Sequence, residues 1–116
     1  MTLAFIGDGV YELLVRERLL GSGSMPANKL HALSVRRVCA SAQAKAYTGL
    51  EEVLTGEEAD ILRRGRNANT TKVPKSCTPD EYRKATALEA LFGYLYLCGR
   101  VERITELYGM ISDQAD

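Results

Sequence analysis

The chain has 116 residues, a length that suits one domain and is enough to bury roughly two-thirds of the unfolded surface. With 46% hydrophobic and 26% charged residues, its composition is that of an ordinary globular domain. No apolar run reaches the roughly eighteen residues of a membrane helix. Three cysteines (Cys39, Cys77, Cys98) without a CxxC pair, beside one histidine, argue against a structural zinc site and for a reducing, cytoplasmic setting. The opening MTLAFIGD has no basic segment and no cleavage pattern, so no secretory signal is expected.

Fifteen basic and fifteen acidic residues cancel. Taken alone, that balance argues against a nucleic-acid partner, but the charges are unevenly spread. No acid lies between Glu17 and Glu51, a stretch holding Arg18, Lys29, Arg36, Arg37 and Lys45. None lies between Asp60 and Asp80, a stretch holding Arg63, Arg64, Arg66, Lys72 and Lys75. A neutral chain so arranged can present one positive face, although charge runs also serve as solvated helix faces.

In chain order, residues 3–20 predict a helix that is apolar nearly all round and therefore deeply buried. It stops at GSGSMP, a turn signal. A second helix is predicted from about Ala27 to Thr48, striped by Leu30, Leu33, Val38, Ala42 and Ala46 and stopped by Gly49. LEEVL reads as a short helical turn. Thr55 with Glu58 forms a capping box opening a helix through Ala59, Ile61 and Leu62. Thr78-Pro79-Asp80-Glu81 is a stronger box, with proline at the first helical position, and opens a helix to Cys98. A last helix spans about 100–112 on Val101, Ile104, Leu107 and Met110. Nothing alternates with period two, so the fold class expected is all-α.

RGRNANTTKVPKSC, residues 64–77, fits no helix. Long irregular connections in compact domains are uncommon and often functional. Its Arg64, Arg66, Lys72 and Lys75, with Asn67, Asn69, Thr70, Thr71 and Ser76, are all able to donate to phosphate or sugar oxygens. The other reading is a plain surface loop.

Two carboxylates stand out. Asp8 shares a helix stripe with Phe5, Glu12, Val15 and Leu19, and has a glycine on each side. Glu89 lies among Ala85, Thr86, Phe92 and Gly93. A buried charge needs a cation, donors or a metal. Two such acids facing each other would repel unless a divalent cation sat between them. Glycines 7, 9 and 93 would leave room for something large to approach. Read singly, each acid is more readily a satisfied core or capping carboxylate, and only the two together point beyond that.

LAFIGDGVYELLVRERLL resembles the signature helix of the ribonuclease III catalytic domain, and ATALEALFGYLYL resembles that family's second acidic motif. Tyr11, the LHALSVRRVCASAQAKA helix and the RGRNA segment look more narrowly like Mini-ribonuclease III, the bacterial branch without a double-stranded-RNA-binding domain. The resemblance spans essentially residues 1–116 as a single catalytic domain, helical-bundle in fold, with a short start: Met1 is seven residues from Asp8, where such chains carry a dozen or more. It implies an endoribonuclease that hydrolyses double-stranded RNA with Mg²⁺, leaving 5′-phosphate and 3′-hydroxyl ends, as a homodimer. Asp8 and Glu89 would be the catalytic and metal-binding acids, while Arg64, Arg66, Asn67, Lys72 and Lys75 would hold RNA. Two further acids of the wider family correspond here to Ala4 and Thr86, which leaves fewer metal ligands. The implied substrate is a precursor of large-subunit (23S) ribosomal RNA, with a large-subunit ribosomal protein as helper. The rival expectation is a non-catalytic RNA-binding or ribosome-associated protein on the same fold.

Overall fold

The computed structural model describes residues 2–68 and 72–115, the side chains of 114 and 115 excepted. It contains α1 (Thr2–Leu20), α2 (Ala27–Val38), α3 (Ala40–Leu50), α4 (Gly56–Arg66), α5 (Pro79–Leu97) and α6 (Val101–Ala115), and no strand among the described residues. The fold is all-α, as the period of the apolar residues required.

Helix α5 is the axle. It packs against α1, α3, α4 and α6, and its Ala87, Leu88, Ala90, Leu91, Phe92 and Leu95 have no exposed surface. Its ends are set locally. Thr78 Oγ1 accepts from the Glu81 N–H at 3.1 Å, and Glu81 Oε1 accepts from the Thr78 N–H at 3.0 Å, with Pro79 opening the first turn. At the other end Gly99 takes φ +73°. There the Gly99 N–H donates to the Tyr96 carbonyl and the Arg100 N–H to the Leu95 carbonyl, both at 2.9 Å. That left-handed turn favours glycine because a Cβ would collide with the backbone. Against α5, Tyr11 of α1 meets Phe92 edge-on at 5.3 Å and Tyr108 of α6 at 5.6 Å. Each aromatic pair contributes about 0.5–1.5 kcal/mol beyond burial.

Two boundaries differ from expectation. The single helix predicted over 27–48 is two helices, broken at Cys39, whose backbone is extended (φ −64°, ψ 156°). The hydrogen-bond ladder is handed across the break, for the Cys39 N–H donates to the Val35 carbonyl and the Gln43 N–H to the Cys39 carbonyl, each at 3.0 Å. The bend turns Gln43, Ala46, Tyr47 and Leu50 into the interior, and Gly49 lies inside α3 instead of ending it. The helix opened by Thr55 also runs on, so Arg64, Gly65 and Arg66 are helical rather than part of the irregular connection. Gly65 lies against α5, where an added Cβ would stand 2.9 Å from the Ala87 Cα and 3.2 Å from the Ala90 Cβ. Close packing outweighs glycine's poor helix propensity here. The arginines in this last turn also suit the negative end of the helix dipole.

Glu58 joins α4 to α6. It closes the Thr55 capping box and accepts from Arg103 Nη2 at 2.8 Å and Nε at 2.9 Å, with its side chain only 3% exposed. The Arg103 hydrogen bonds hold its carboxyl below the usual glutamate value of 4.5. A carboxyl with a depressed folded pKa contributes stability above its unfolded value and loses it as pH falls through the folded one. Melting temperature measured from neutral pH to about pH 3 should therefore fall less steeply in Glu58→Gln than in the parent. At neutral pH the same substitution should cost about 2 kcal/mol. Parallel profiles would show that the pair does not carry this dependence.

Candidate active site

Helices α1 and α5 cross with their backbones in contact. A Cβ built on Gly7 would lie 1.6 Å from the Glu89 carbonyl oxygen, and one on Gly93 would lie 2.0 Å from the Leu3 carbonyl oxygen. No side chain fits at either place. Because Asp8 follows Gly7 and Glu89 lies one turn before Gly93, the crossing brings the two carboxyls into hydrogen-bonding contact. The glycines beside the acids thus have a different role from the one expected. Gly7 and Gly93 admit the neighbouring helix rather than a ligand, while Gly9 is exposed with open space around it.

The pair forms a rim, with Asp8 exposed and Glu89 half-buried. Burial pushes the Glu89 carboxyl up to about 8, and the charge of Asp8 and a hydrogen bond to it push the same way, with a smaller contribution from the charge of Glu12. Near neutral pH Glu89 therefore favours its protonated form, because a second carboxylate beside Asp8 in a half-buried position is costly. Glu12, one turn from Asp8, is engaged by Arg16 at 3.5 Å. Among the described residues no group of three or more His, Cys, Asp or Glu is gathered closely enough to hold an ion. Ala4 and Thr86 are half-buried and bring no carboxylate. Two hard oxygen donors in contact nonetheless suit Mg²⁺, which takes one or two carboxylates and completes its shell with water and phosphate oxygens.

Gln43 of α3 also belongs to this site, and it had no place in the sequence-based expectations. It is 2% exposed, and its amide lies against the Glu89 carboxyl and pulls that pKa down. Even so, its Nε2 makes no hydrogen bond of normal geometry among the described residues. An unsatisfied buried donor costs about 1–3 kcal/mol. The available signal was a polar residue on the same helical stripe as Ala46, Tyr47 and Leu50.

The basic residues fall into two sets. Arg64 lies 3.8 Å from Asp60 and Arg66 lies 3.9 Å from Asp80, loose exposed pairs of little energy that leave both guanidiniums able to turn to an incoming anion. Asn67 caps the end of α4 and is exposed. Lys72 and Lys75 are exposed and make no ion pair among the described residues. Asn69, Thr70 and Thr71 lie outside the described residues. Since Gly65 packs on Ala87 and Ala90, which flank Glu89 in sequence, the basic end of α4 is tied to the turn of α5 that carries the acid. The second set, Arg36, Arg37 and Lys45, lines a cleft of about 530 Å³ at the α2–α3 break, with Cys39 and Ser41.

An all-α domain whose core helix supplies one acid, and whose first helix supplies the other, has known counterparts. Residues 1–100 match the Ribonuclease III domain, and the chain belongs to the ribonuclease III family of endoribonucleases. It is similar to Mini-ribonuclease 3 of Symbiobacterium thermophilum, 48% identical over 113 residues that cover 97% of this chain and 87% of that one. It is also similar to Mini-ribonuclease 3 of Gloeobacter violaceus, 54% identical over 101 residues covering 84% and 71% respectively. A crystal structure of a protein from Fusobacterium nucleatum superposes with a TM-score of 0.86 at 36% identity, covering 94% of this chain and 88% of that one.

If the glycine crossing builds the site, Gly7→Ala should lower stability by about 3 kcal/mol or more, because the obstructing atoms are backbone. Gly109, inside α6 with nothing within 4 Å, is the control. Gly109→Ala should raise stability by about 0.5–1 kcal/mol. Urea unfolding reads both, and equal effects would refute the crossing argument.

Proposed function

We propose that this chain is a Mg²⁺-dependent endoribonuclease acting on double-stranded RNA, its residues 1–116 forming one catalytic domain. The observation that carries the reading is the meeting of the Asp8 and Glu89 carboxyls, from distant parts of the sequence, on one accessible rim. Family membership supports the reaction class.

Asp8 and Glu89 would hold the metal. Mg²⁺, when bound, supplies a water of lowered pKa and offsets charge developing on the scissile phosphate. Asp8, the exposed member, orients the attacking water, while the half-buried Glu89 fixes the inner wall of the site. Water oxygen bonds to phosphorus and the bond from phosphorus to the 3′-oxygen breaks, giving a 5′-phosphate and a 3′-hydroxyl. Duplex RNA displays phosphates and 2′-hydroxyls rather than base edges. Arg64, Arg66, Asn67, Lys72 and Lys75 are the groups assigned to that backbone.

Cutting both strands calls for two sites about a two-fold axis, hence a homodimer. Support comes from α1, where Phe5 is 83% and Leu13 61% exposed, on one face with the open Gly9 between them. We assign as substrate a precursor of large-subunit (23S) ribosomal RNA, trimmed in the cytoplasm during ribosome assembly with a large-subunit ribosomal protein shaping the RNA. The support for this last step is the resemblance to Mini-ribonuclease III.

Incubation with duplex RNA and Mg²⁺ should give cleavage by the parent and none by Asp8→Asn, with both binding the RNA. Equal binding without cleavage by either protein would favour a non-catalytic RNA-binding protein. Replacing Lys72 and Lys75 by alanine should weaken binding and flatten its dependence on log salt by about one unit per lysine. Phe5→Asp should shift the sedimentation of the parent dimer to that of a monomer. A monomeric parent would remove the two-fold arrangement.

A further inference from the structure

Among the described residues, Gln43 Nε2 is the buried side-chain polar atom left without a hydrogen bond. The position is one where an apolar residue would be the easy choice. Gln43, Ala46, Tyr47 and Leu50 form the buried stripe of α3, and the other three are hydrophobic. The break at Cys39 aims this stripe inward, and α3 packs on α5. At that packing the Gln43 amide lies against the Glu89 carboxyl, on the buried side of a pair whose other member faces solvent.

The chemistry of the amide narrows its role. A carboxylate accepts hydrogen bonds and an amide nitrogen donates them. The contact between the Glu89 carboxyl and the Gln43 amide is loose and leaves the donor unsatisfied, so a small turn of the carboxyl would bring its inner oxygen onto the amide. A carboxylate whose outer oxygen faces a cation has its inner oxygen free to accept, and the Gln43 amide is the donor on that side. Leucine here would offer no donor, and a glutamate would add a third negative charge to two that already repel. A neutral donor serves a carboxylate that must be held by its inner oxygen while its outer oxygen is left for a cation.

We infer that Gln43 is a positioning residue, whose amide N–H holds the Glu89 carboxylate in the orientation that grips a divalent cation together with Asp8. The inference rests on the metal-dependent reading proposed above. Gln43 touches neither RNA nor the reacting phosphate. It acts through Glu89, as groups behind metal-binding carboxylates commonly do.

The test uses Gln43→Met, which keeps the length of the side chain and removes the donor, and Gln43→Leu as a second apolar shape. Three quantities are read on the full chain: melting temperature without metal, the Mg²⁺ concentration giving half of the Mg²⁺-induced rise in melting temperature, and the Mg²⁺ concentration giving half-maximal cleavage of duplex RNA. Without metal, both variants should melt at or above the parent temperature, since an unsatisfied donor has been removed from the core. Both Mg²⁺ midpoints should move up about tenfold, with cleavage at saturating Mg²⁺ nearly restored. Unchanged midpoints overturn the inference. So do variants that melt far below the parent at every Mg²⁺ concentration, which would make Gln43 a structural core residue. A parent that neither cleaves nor gains melting temperature with Mg²⁺ overturns the metal-dependent reading and this assignment with it. That failure is told apart because the parent itself is inert.

Discussion

Two helices approach until their main chains touch only where neither carries a side chain, and α1 meets α5 at Gly7 and Gly93 in that way. The separation of the two backbones is fixed by the Glu89 and Leu3 carbonyls, which are not free to move. With the crossing point fixed, the residue after Gly7 and the residue one turn before Gly93 must face each other. Both are acids. The aspartate between two glycines in an apolar segment is thus explained in two parts: the glycine before it makes the crossing, and the crossing delivers Asp8 to Glu89.

That delivery is unfavourable on its own terms. Burial raises the pKa of Glu89, the Asp8 carboxyl in contact with it raises it further, and the charge of Glu12 adds a little more. The rest of the fold has to offset it. Helix α5, with its six fully buried apolar side chains, and the Tyr11 contacts to Phe92 and Tyr108, lie at or near the same crossing. Concentrating packing where the charges conflict is the pattern expected of a site kept for chemistry instead of stability. The unsatisfied Gln43 amide adds to that local cost.

What was legible in the sequence was what local chemistry determines. Both capping boxes appear at Thr55–Glu58 and Thr78–Glu81, because a cap is closed by residues three apart and needs no distant partner. The break at Cys39 could not be read, since it carries no proline, no glycine and no side-chain cap. It exists because α3 must turn its stripe onto α5. The stretch from Arg64 was expected to be irregular, yet Arg64, Gly65 and Arg66 lie within α4, with glycine at 65 because α5 comes too close for anything larger. The approach of Asp8 to Glu89 was legible from two isolated acids on core-like helices. Gln43 was not, because a single amide in a mostly apolar stripe acquires meaning only when its neighbour across the packing is known.

The zero net charge of the chain has a structural explanation that bears on its partner. Many of its acids are occupied within the fold. Glu57 accepts from Tyr94 and Arg100, Glu58 and Glu106 accept from Arg103, and Asp60 accepts from Arg63. The Glu57 and Glu58 contacts cancel charge where they join α4 to the end of α5 and to α6, while the Asp60 and Glu106 pairs lie within their own helices. The cations at and after the end of α4 are treated differently, for Arg64 and Arg66 have only loose exposed partners and Lys72 and Lys75 make no ion pair among the described residues. A polyanion approaching the molecule responds to the local field and to the counterions released, not to the sum over the sequence. Under the proposed function, phosphates drawn to the end of α4 would arrive beside the turn of α5 that carries Glu89, because Gly65 anchors that end to Ala87 and Ala90. The same kind of contact, glycine against a neighbouring helix, therefore sets both the spacing of the acids and the nearness of the cations that would bring a duplex to them.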